Sequence, residues 1–262
     1  MPLFCFNVLL SFFLAGSIIA LLTWTAEKSG SKLGGLFANL PSNILITLIF
    51  ISISQGNFFV KQMVPAIPIG MLIDAIFLVV FIVLLRFSLF MAILGSLGTW
   101  LILAIIANMV TLPSLWVNIL LYFIVTLFAF AYVESVLKTR SEPKSGKRYT
   151  VFQMAMRALL AGAIVGGVVL ISGFVPPYLT GIVSTFPAVL FSSMVILVIN
   201  QGPDFARATG KVMILSSTNI VVYALGIYYS YPVLGIVAGT VVSFLLAFLW
   251  IMLLRPLLIR IR

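Results

Sequence analysis

The sequence predicts an all-α polytopic membrane protein with about nine transmembrane helices. Of its 262 residues, 63% are hydrophobic and 8% are charged, and the mean hydropathy is +1.30. Three uncharged runs of 43 to 47 residues cover 87–133, 158–203 and 212–254. Because roughly 20 apolar residues cross the hydrocarbon core of a bilayer, each run is long enough for two spans.

Turn residues and charges divide the chain into nine helices. The helices are predicted at about 4–23, 34–54, 63–85, 87–109, 114–136, 150–172, 178–199, 209–229 and 232–254. No basic residue precedes the first helix, so we expect it to be retained rather than removed as a signal peptide.

The segment 35–61 matches the later segment 181–207 at a constant offset of 146 without a gap. Such self-similarity predicts a duplication. Residues 1–110 then form a first four-helix repeat, 111–149 a linker helix with a basic loop, and 150–262 a second four-helix repeat. Six of the 27 aligned pairs are identical, namely Gly35/Gly181, Pro41/Pro187, Ile53/Ile199, Gln55/Gln201, Gly56/Gly202 and Phe59/Phe205.

The basic residues predict the orientation, because Lys and Arg in short loops are retained on the cytoplasmic side. With the N-terminus outside and the C-terminus cytoplasmic, 13 of the 15 basic residues lie on the cytoplasmic side; Lys61 and the intramembrane Arg157 are the other two. The net charge of +10 is then explained by topology and by contact with anionic headgroups of the bilayer. Nucleic acid is not an expected partner.

Because a single linker helix separates them, the two predicted repeats have opposite orientations in the membrane. Inverted-topology repeats are typical of secondary transporters, in which the halves exchange conformations. A duplicated but inert bundle, or a scaffold, is the alternative.

Two prolines inside the predicted helices mark a candidate substrate or ion site. Pro41 and Pro187 occupy equivalent repeat positions, and each is predicted to break its helix. Half-helix ends at matching depth expose backbone dipoles to a bound group; a packing kink solvated by hydroxyl groups is the alternative. The neighbouring polar residues complete the candidate set: Asn39, Ser42, Asn43, Ser184 and Thr185.

Asp74 is the one acidic residue predicted near the middle of a span. A carboxylate there costs about 2.5–3.5 kcal/mol on insertion scales, so it ordinarily has a partner or takes a proton. Asn219 lies one position from the equivalent place in the second repeat. Arg157, in the sixth helix, is predicted to snorkel to headgroups, to pair with Asp74 or to bind an anion. Among the tryptophans, which mostly fall near span ends, Trp100 lies deeper.

The side-chain inventory excludes several classes of site. His is absent and Cys5 is the only cysteine, which excludes a His/Cys metal site, a Ser-His-Asp hydrolase and an intrachain disulfide. No enzyme activity, metal or cofactor is predicted.

The second repeat contains the pattern G-[IL]-[VF]-x-x-[FL]-P, followed by an apolar helix, a terminal glycine and a basic residue. With these residues it resembles the GlpM-like family of small bacterial inner-membrane proteins over about 55 residues, and 35–61 resembles it more faintly. The resemblance implies two such four-helix units fused around a linker, in a prokaryotic inner (plasma) membrane. It implies no reaction. The pattern is formed by Gly181, Ile182, Val183, Phe186, Pro187, Gly202 and Arg207, and then by 219–223.

The predicted function is secondary transport of a small solute or a lipid-linked anion, with proton coupling as one option. The alternative is a non-transporting scaffold or accessory subunit of envelope-polymer synthesis; an intramembrane enzyme ranks third. A homo-oligomer is left open.

Overall fold

The computed structural model describes residues 2–28, 41–112, 114–137 and 150–261, and all regular structure in these ranges is helical. The helices are α1 (Pro2–Lys28), α2 (Ser42–Gln55), α3 (Asn57–Met63), α4 (Ile67–Leu84), α5 (Leu89–Val110), α6 (Leu115–Ala131), α7 (Val151–Ile171), α8 (Pro177–Ser184), α9 (Ala188–Gln201), α10 (Pro203–Ser216) and α11 (Thr218–Ile261). A 3-10 turn, Val64–Ala66, joins α3 to α4, and a π turn, Tyr132–Val136, follows α6.

Seven helical segments within the described ranges are long and apolar enough to cross a membrane. The shorter α2 is also apolar. These lengths and compositions make the chain a multi-pass helical membrane protein. The seven are Leu3–Trp24, Asn57–Leu84, Leu89–Val110, Leu115–Ser135, Val151–Ile171, Pro177–Gln201 and Pro203–Pro256.

The segment Asn57–Leu84 forms the centre of the bundle. In an apolar stretch of 18 residues within this segment 67% of the residues are buried, whereas the corresponding share in Leu89–Val110 is 22%. The outer helices present large apolar side chains at the surface, such as Met109 (78% exposed) and Val237 (80%). An apolar surface of this extent suits hydrocarbon chains rather than water.

α1 packs along α7 through small residues on α7. A Cβ added at Gly162 would lie 2.6 Å from the Phe12 carbonyl oxygen, and one at Gly166 would lie 3.1 Å from the Phe12 Cβ. Small residues let two membrane helices approach closely. Van der Waals packing then stabilises the pair, because the hydrophobic effect does not drive helices together within lipid.

The predicted helix break at Pro187 is confirmed, since α8 ends at Ser184 and α9 begins at Ala188. Pro41 directly precedes α2, and its backbone angles (φ −77°, ψ 48°) resemble those of Pro187 (φ −76°, ψ 43°). The predicted start of this helix, near residue 34, lies outside the described residues.

Two connections differ from the prediction because single glycines replace loops. Gly56 (φ 88°) and Gly202 (φ 95°) adopt left-handed backbone angles, which glycine reaches without steric cost. The next helices begin at once, so the predicted starts near 63 and 209 are wrong. Arg207 and Lys211, expected near a cytoplasmic loop, lie inside α10, and Lys211 is only 2% exposed.

A third connection also differs from the prediction. We expected a turn around Ser230-Tyr231-Pro232, but α11 continues through Pro232 and leaves helical geometry at Gly235 (φ 72°). Proline is tolerated within membrane helices when neighbouring groups satisfy the freed backbone. The helix is therefore interrupted at Gly235, where glycine can adopt the left-handed backbone angle, and not at Pro232.

An ion pair links α10 to the π turn that follows α6. Lys211 Nζ lies 2.8 Å from Glu134 Oε2, with side-chain exposures of 3% and 48%. The buried partner is thus the lysine, and the glutamate reaches it from a half-exposed position.

Replacing the two partners separately is expected to have unequal effects on stability. Glu134→Gln takes the carboxylate from a buried ammonium group, and we expect a loss of about 1–3 kcal/mol. Lys211→Met replaces the buried charge with an apolar side chain of similar length and leaves the Glu134 carboxylate half-exposed to solvent, so its effect is expected to be smaller. Thermal unfolding in detergent measures both, and an equal loss in the two variants would contradict this account.

Candidate functional site

A cavity of about 90 Å³ lies where several helices begin or end inside the bundle. It has room for several water-sized groups, because one water needs about 10–15 Å³ of such space. Its walls come from the start of α2, the middle of α4, the α8–α9 break and the α10–α11 junction. Its polar lining is Ser42, Asn43, Asp74, Ser184, Thr185, Ser216, Ser217 and Asn219.

The structure brings most of the predicted site residues together at this cavity. Eight of the ten line it, namely Pro41, Ser42, Asn43, Asp74, Ser184, Thr185, Pro187 and Asn219. Asn39 lies outside the described residues. Arg157 does not line the cavity; it is 9% exposed on α7, so protein surrounds most of its side chain.

Asp74 is held by a tryptophan. Its carboxylate is 2% exposed and accepts a hydrogen bond from Trp100 Nε1 at 2.9 Å. The Trp100 ring packs edge-to-face on Phe186, with centroids 4.9 Å apart. Phe186 lies in the α8–α9 break, so Trp100 connects the carboxylate on α4 to the broken helix.

Sequence reasoning missed Trp100 as a partner of Asp74. Its depth in the fourth predicted span was the available signal, since a tryptophan far from the interface needs a partner for its indole N–H. Residue spacing gave no means of pairing it with one particular carboxylate 26 positions earlier.

Four of the five hydroxyl groups around the cavity donate to helix carbonyls three residues earlier. They thereby satisfy carbonyl groups at the ends of α8 and α10, and they keep lone pairs as acceptors. The bonds run from Ser184 to Gly181 (2.7 Å), Thr185 to Ile182 (2.8 Å), Ser216 to Met213 (3.3 Å) and Ser217 to Ile214 (2.9 Å).

Two helices begin at the cavity without side-chain caps. Pro41 precedes α2 and Pro187 precedes α9, and neither helix has a side-chain cap hydrogen bond. The first N–H groups of an α-helix have no partner within the helix, and its N-terminus carries a partial positive charge. Residues 42–44 and 189–190, in the first turns of these helices, line the cavity.

The predicted helix 209–229 contains an irregularity at Ser217, the one residue between α10 and α11. Ser217 keeps helical backbone angles (φ −64°, ψ −12°) and donates its N–H to the Met213 carbonyl at 3.0 Å, and its hydroxyl lies 3.3 Å from the Tyr122 hydroxyl on α6. Trp250 Nε1 donates to Thr218 Oγ1 at 2.9 Å. The signal was the run of four polar residues, 216–219, in an apolar helix.

The α8–α9 break approaches α4 closely at a glycine. A Cβ added at Gly70 would overlap the Thr185 side chain. Thr185 lines the cavity beside Asp74, so the glycine allows the broken helix to reach the carboxylate.

Gly70→Ala is expected to push Thr185 away from α4 and to cost about 1–3 kcal/mol through overpacking. The matched control is Gly98→Ala on α5, where an added Cβ would meet nothing within 4 Å. Because alanine favours a helix over glycine by up to ~1 kcal/mol, the control is expected to keep or raise stability. Thermal unfolding of both variants checks this, and equal melting temperatures would contradict the close approach.

The cavity combines one carboxyl group, amide and hydroxyl acceptors, and uncapped helix starts. Asp74 is the only titratable side chain among the described residues that line it. Such a site is suited to binding a small polar solute and to exchanging a proton. No group of three or more potential metal ligands from His, Cys, Asp and Glu occurs in the described ranges.

No family model, curated protein or solved structure matches this chain. The resemblance to the GlpM-like family therefore stays a prediction.

Proposed function

We propose that this protein is a secondary transporter of a small solute, and that Asp74 carries the coupled proton. One observation carries the proposal: the two proline-led helix starts and the buried carboxylate line a single cavity. Paired helix breaks beside an ionisable group are the arrangement that transporters use for substrates and coupling ions.

The proposal includes an inverted duplication. At the offset of 146, α2 (Ser42–Gln55) corresponds to α9 (Ala188–Gln201) end for end, and the starts of α3 and α10 correspond at Asn57 and Pro203. Gly56 (φ 88°, ψ 162°) and Gly202 (φ 95°, ψ 166°) share one backbone conformation.

Nine spans are consistent with these helices. The segment Pro203–Pro256 is 54 residues long and is interrupted at Gly235, which is the counterpart of Leu89 at the start of α5. It therefore accounts for two spans, and α2 accounts for one more. With α6 as the single linker, the halves have opposite orientations in a prokaryotic inner membrane, and exchange of their conformations would open the cavity to each side in turn.

The orientation is tested by single-cysteine labelling of intact cells in a Cys5→Ser background. We expect cysteines at Lys61 and Ser114 to react with an impermeant maleimide, and a cysteine at Lys144 to react only after the cells are permeabilised. We expect this labelling pattern because loops rich in Lys and Arg remain on the cytoplasmic side. Labelling of position 144 from outside would reverse the orientation and remove support for inverted repeats.

Asp74→Asn is expected to abolish coupled transport while leaving folding intact. The asparagine oxygen still accepts the Trp100 hydrogen bond, but the side chain no longer exchanges a proton. Proteoliposomes with a trapped pH dye and a panel of amino acids, amines, organic anions and polyprenyl phosphates measure solute flux and proton movement together. Thermal unfolding of the same sample checks folding.

The matched control is Asp204→Asn, which neutralises an exposed carboxylate paired with Arg207 on α10. This variant is expected to transport like the wild type. Normal transport by Asp74→Asn would make Asp74 a packing group only. Absence of flux for every solute with the wild-type protein would favour the scaffold function instead.

A further inference from the structure

We infer that the cavity binds a small zwitterion, a molecule with one ammonium and one carboxylate group and the size of glycine or alanine. This inference deepens the proposed function by naming its substrate class. Binding is measured separately from transport, so either conclusion can fail alone.

The side chains around the cavity offer acceptors to an ammonium group. Asn43 Oδ1 is buried and has no hydrogen-bond partner within the described structure, and a buried acceptor left unpaired costs about 1–3 kcal/mol. Four of the five serine and threonine hydroxyls that line the cavity, those of Ser184, Thr185, Ser216 and Ser217, donate their hydrogens to helix carbonyls. Together with the Asp74 carboxylate, these oxygens favour a ligand that donates several hydrogen bonds.

The helix starts around the same cavity offer donors to a carboxylate group. α2 and α9 begin after prolines, whose side chains have no polar atom to cap the helix start. The Ala188 N–H of α9 already donates to the Phe186 carbonyl, so the donors of α9 are the N–H groups that follow it. Each helix N-terminus carries roughly half a positive charge, so the two N-termini together about offset the negative charge of the Asp74 carboxylate. A balanced site with separate donors and acceptors favours a ligand that is neutral overall but carries both charges.

The composition of the walls disfavours a lipid-linked anion. None of the described lining residues is Lys or Arg, and these are the residues that usually clamp phosphate groups. The cavity of about 90 Å³ has room for only about six to nine water-sized groups. Met71, Phe186 and Met213 supply an apolar wall that suits a hydrogen or a methyl side chain.

The test is thermal unfolding of the purified full-length protein in detergent, with glycine, methylammonium chloride, sodium acetate or sodium phosphate added at equal concentration and ionic strength. A ligand that binds only the folded state raises Tm in proportion to its affinity. We expect glycine to raise Tm by several degrees, and methylammonium and acetate to raise it much less, because each engages one half of the site.

Two variants locate the effect. Asp74→Asn and Asn43→Ala are each expected to weaken glycine binding by ~10-fold or more, since each loses a hydrogen bond to a charged group. Asp204→Asn is the control and is expected to bind like the wild type. If Asp74→Asn does not fold, Asn43→Ala carries the test.

Three results would overturn the inference: no stabilisation by glycine, equal stabilisation by methylammonium or acetate alone, or stronger stabilisation by phosphate. Stabilisation by glycine without flux in proteoliposomes would leave the zwitterion site standing and remove the transporter. Flux of another solute without stabilisation by glycine would support the transporter and remove the zwitterion site.

Discussion

The lipid interior offers no water to an unpaired backbone group, and the rest of this structure depends on that constraint. A spanning helix can be interrupted only where protein or a polar cavity surrounds the interruption. The start of α2, the α8–α9 break and the α10–α11 junction accordingly meet around one cavity. Serine and threonine hydroxyls satisfy carbonyls there.

Small residues bring these breaks together. Gly70 admits Thr185 against α4, and a Cβ added at Gly181 would lie 2.8 Å from the Ala66 Cβ in the 3-10 turn. Helix α8 therefore rests directly on the segment that leads into α4. Packing at this distance fixes the position of the broken helix relative to Asp74, because a close-packed interior resists even small changes in volume.

The fold class and most of the candidate site could be predicted from the sequence, whereas the connections could not. Pro187 and Asp74 can be recognised from the sequence because each destabilises an apolar membrane helix. Such a residue indicates a helix break or a polar site at its own position. The sequence predicts helix ends near residues 54 and 199, just before Gly56 and Gly202, but nothing local indicates that the next helix begins at once. The Trp100 bond to Asp74 is a tertiary contact, which depends on how helices pack rather than on residue spacing.

The glycine junctions impose a mechanical consequence on the bundle. A planar peptide leaves each residue only two soft dihedral angles, so Gly56 joins α2 to α3 as a compact pivot and not as a slack tether. Gly202 joins α9 to α10 in the same way. A change in the angle between the two helices at either junction is therefore confined to the two backbone torsions of one glycine.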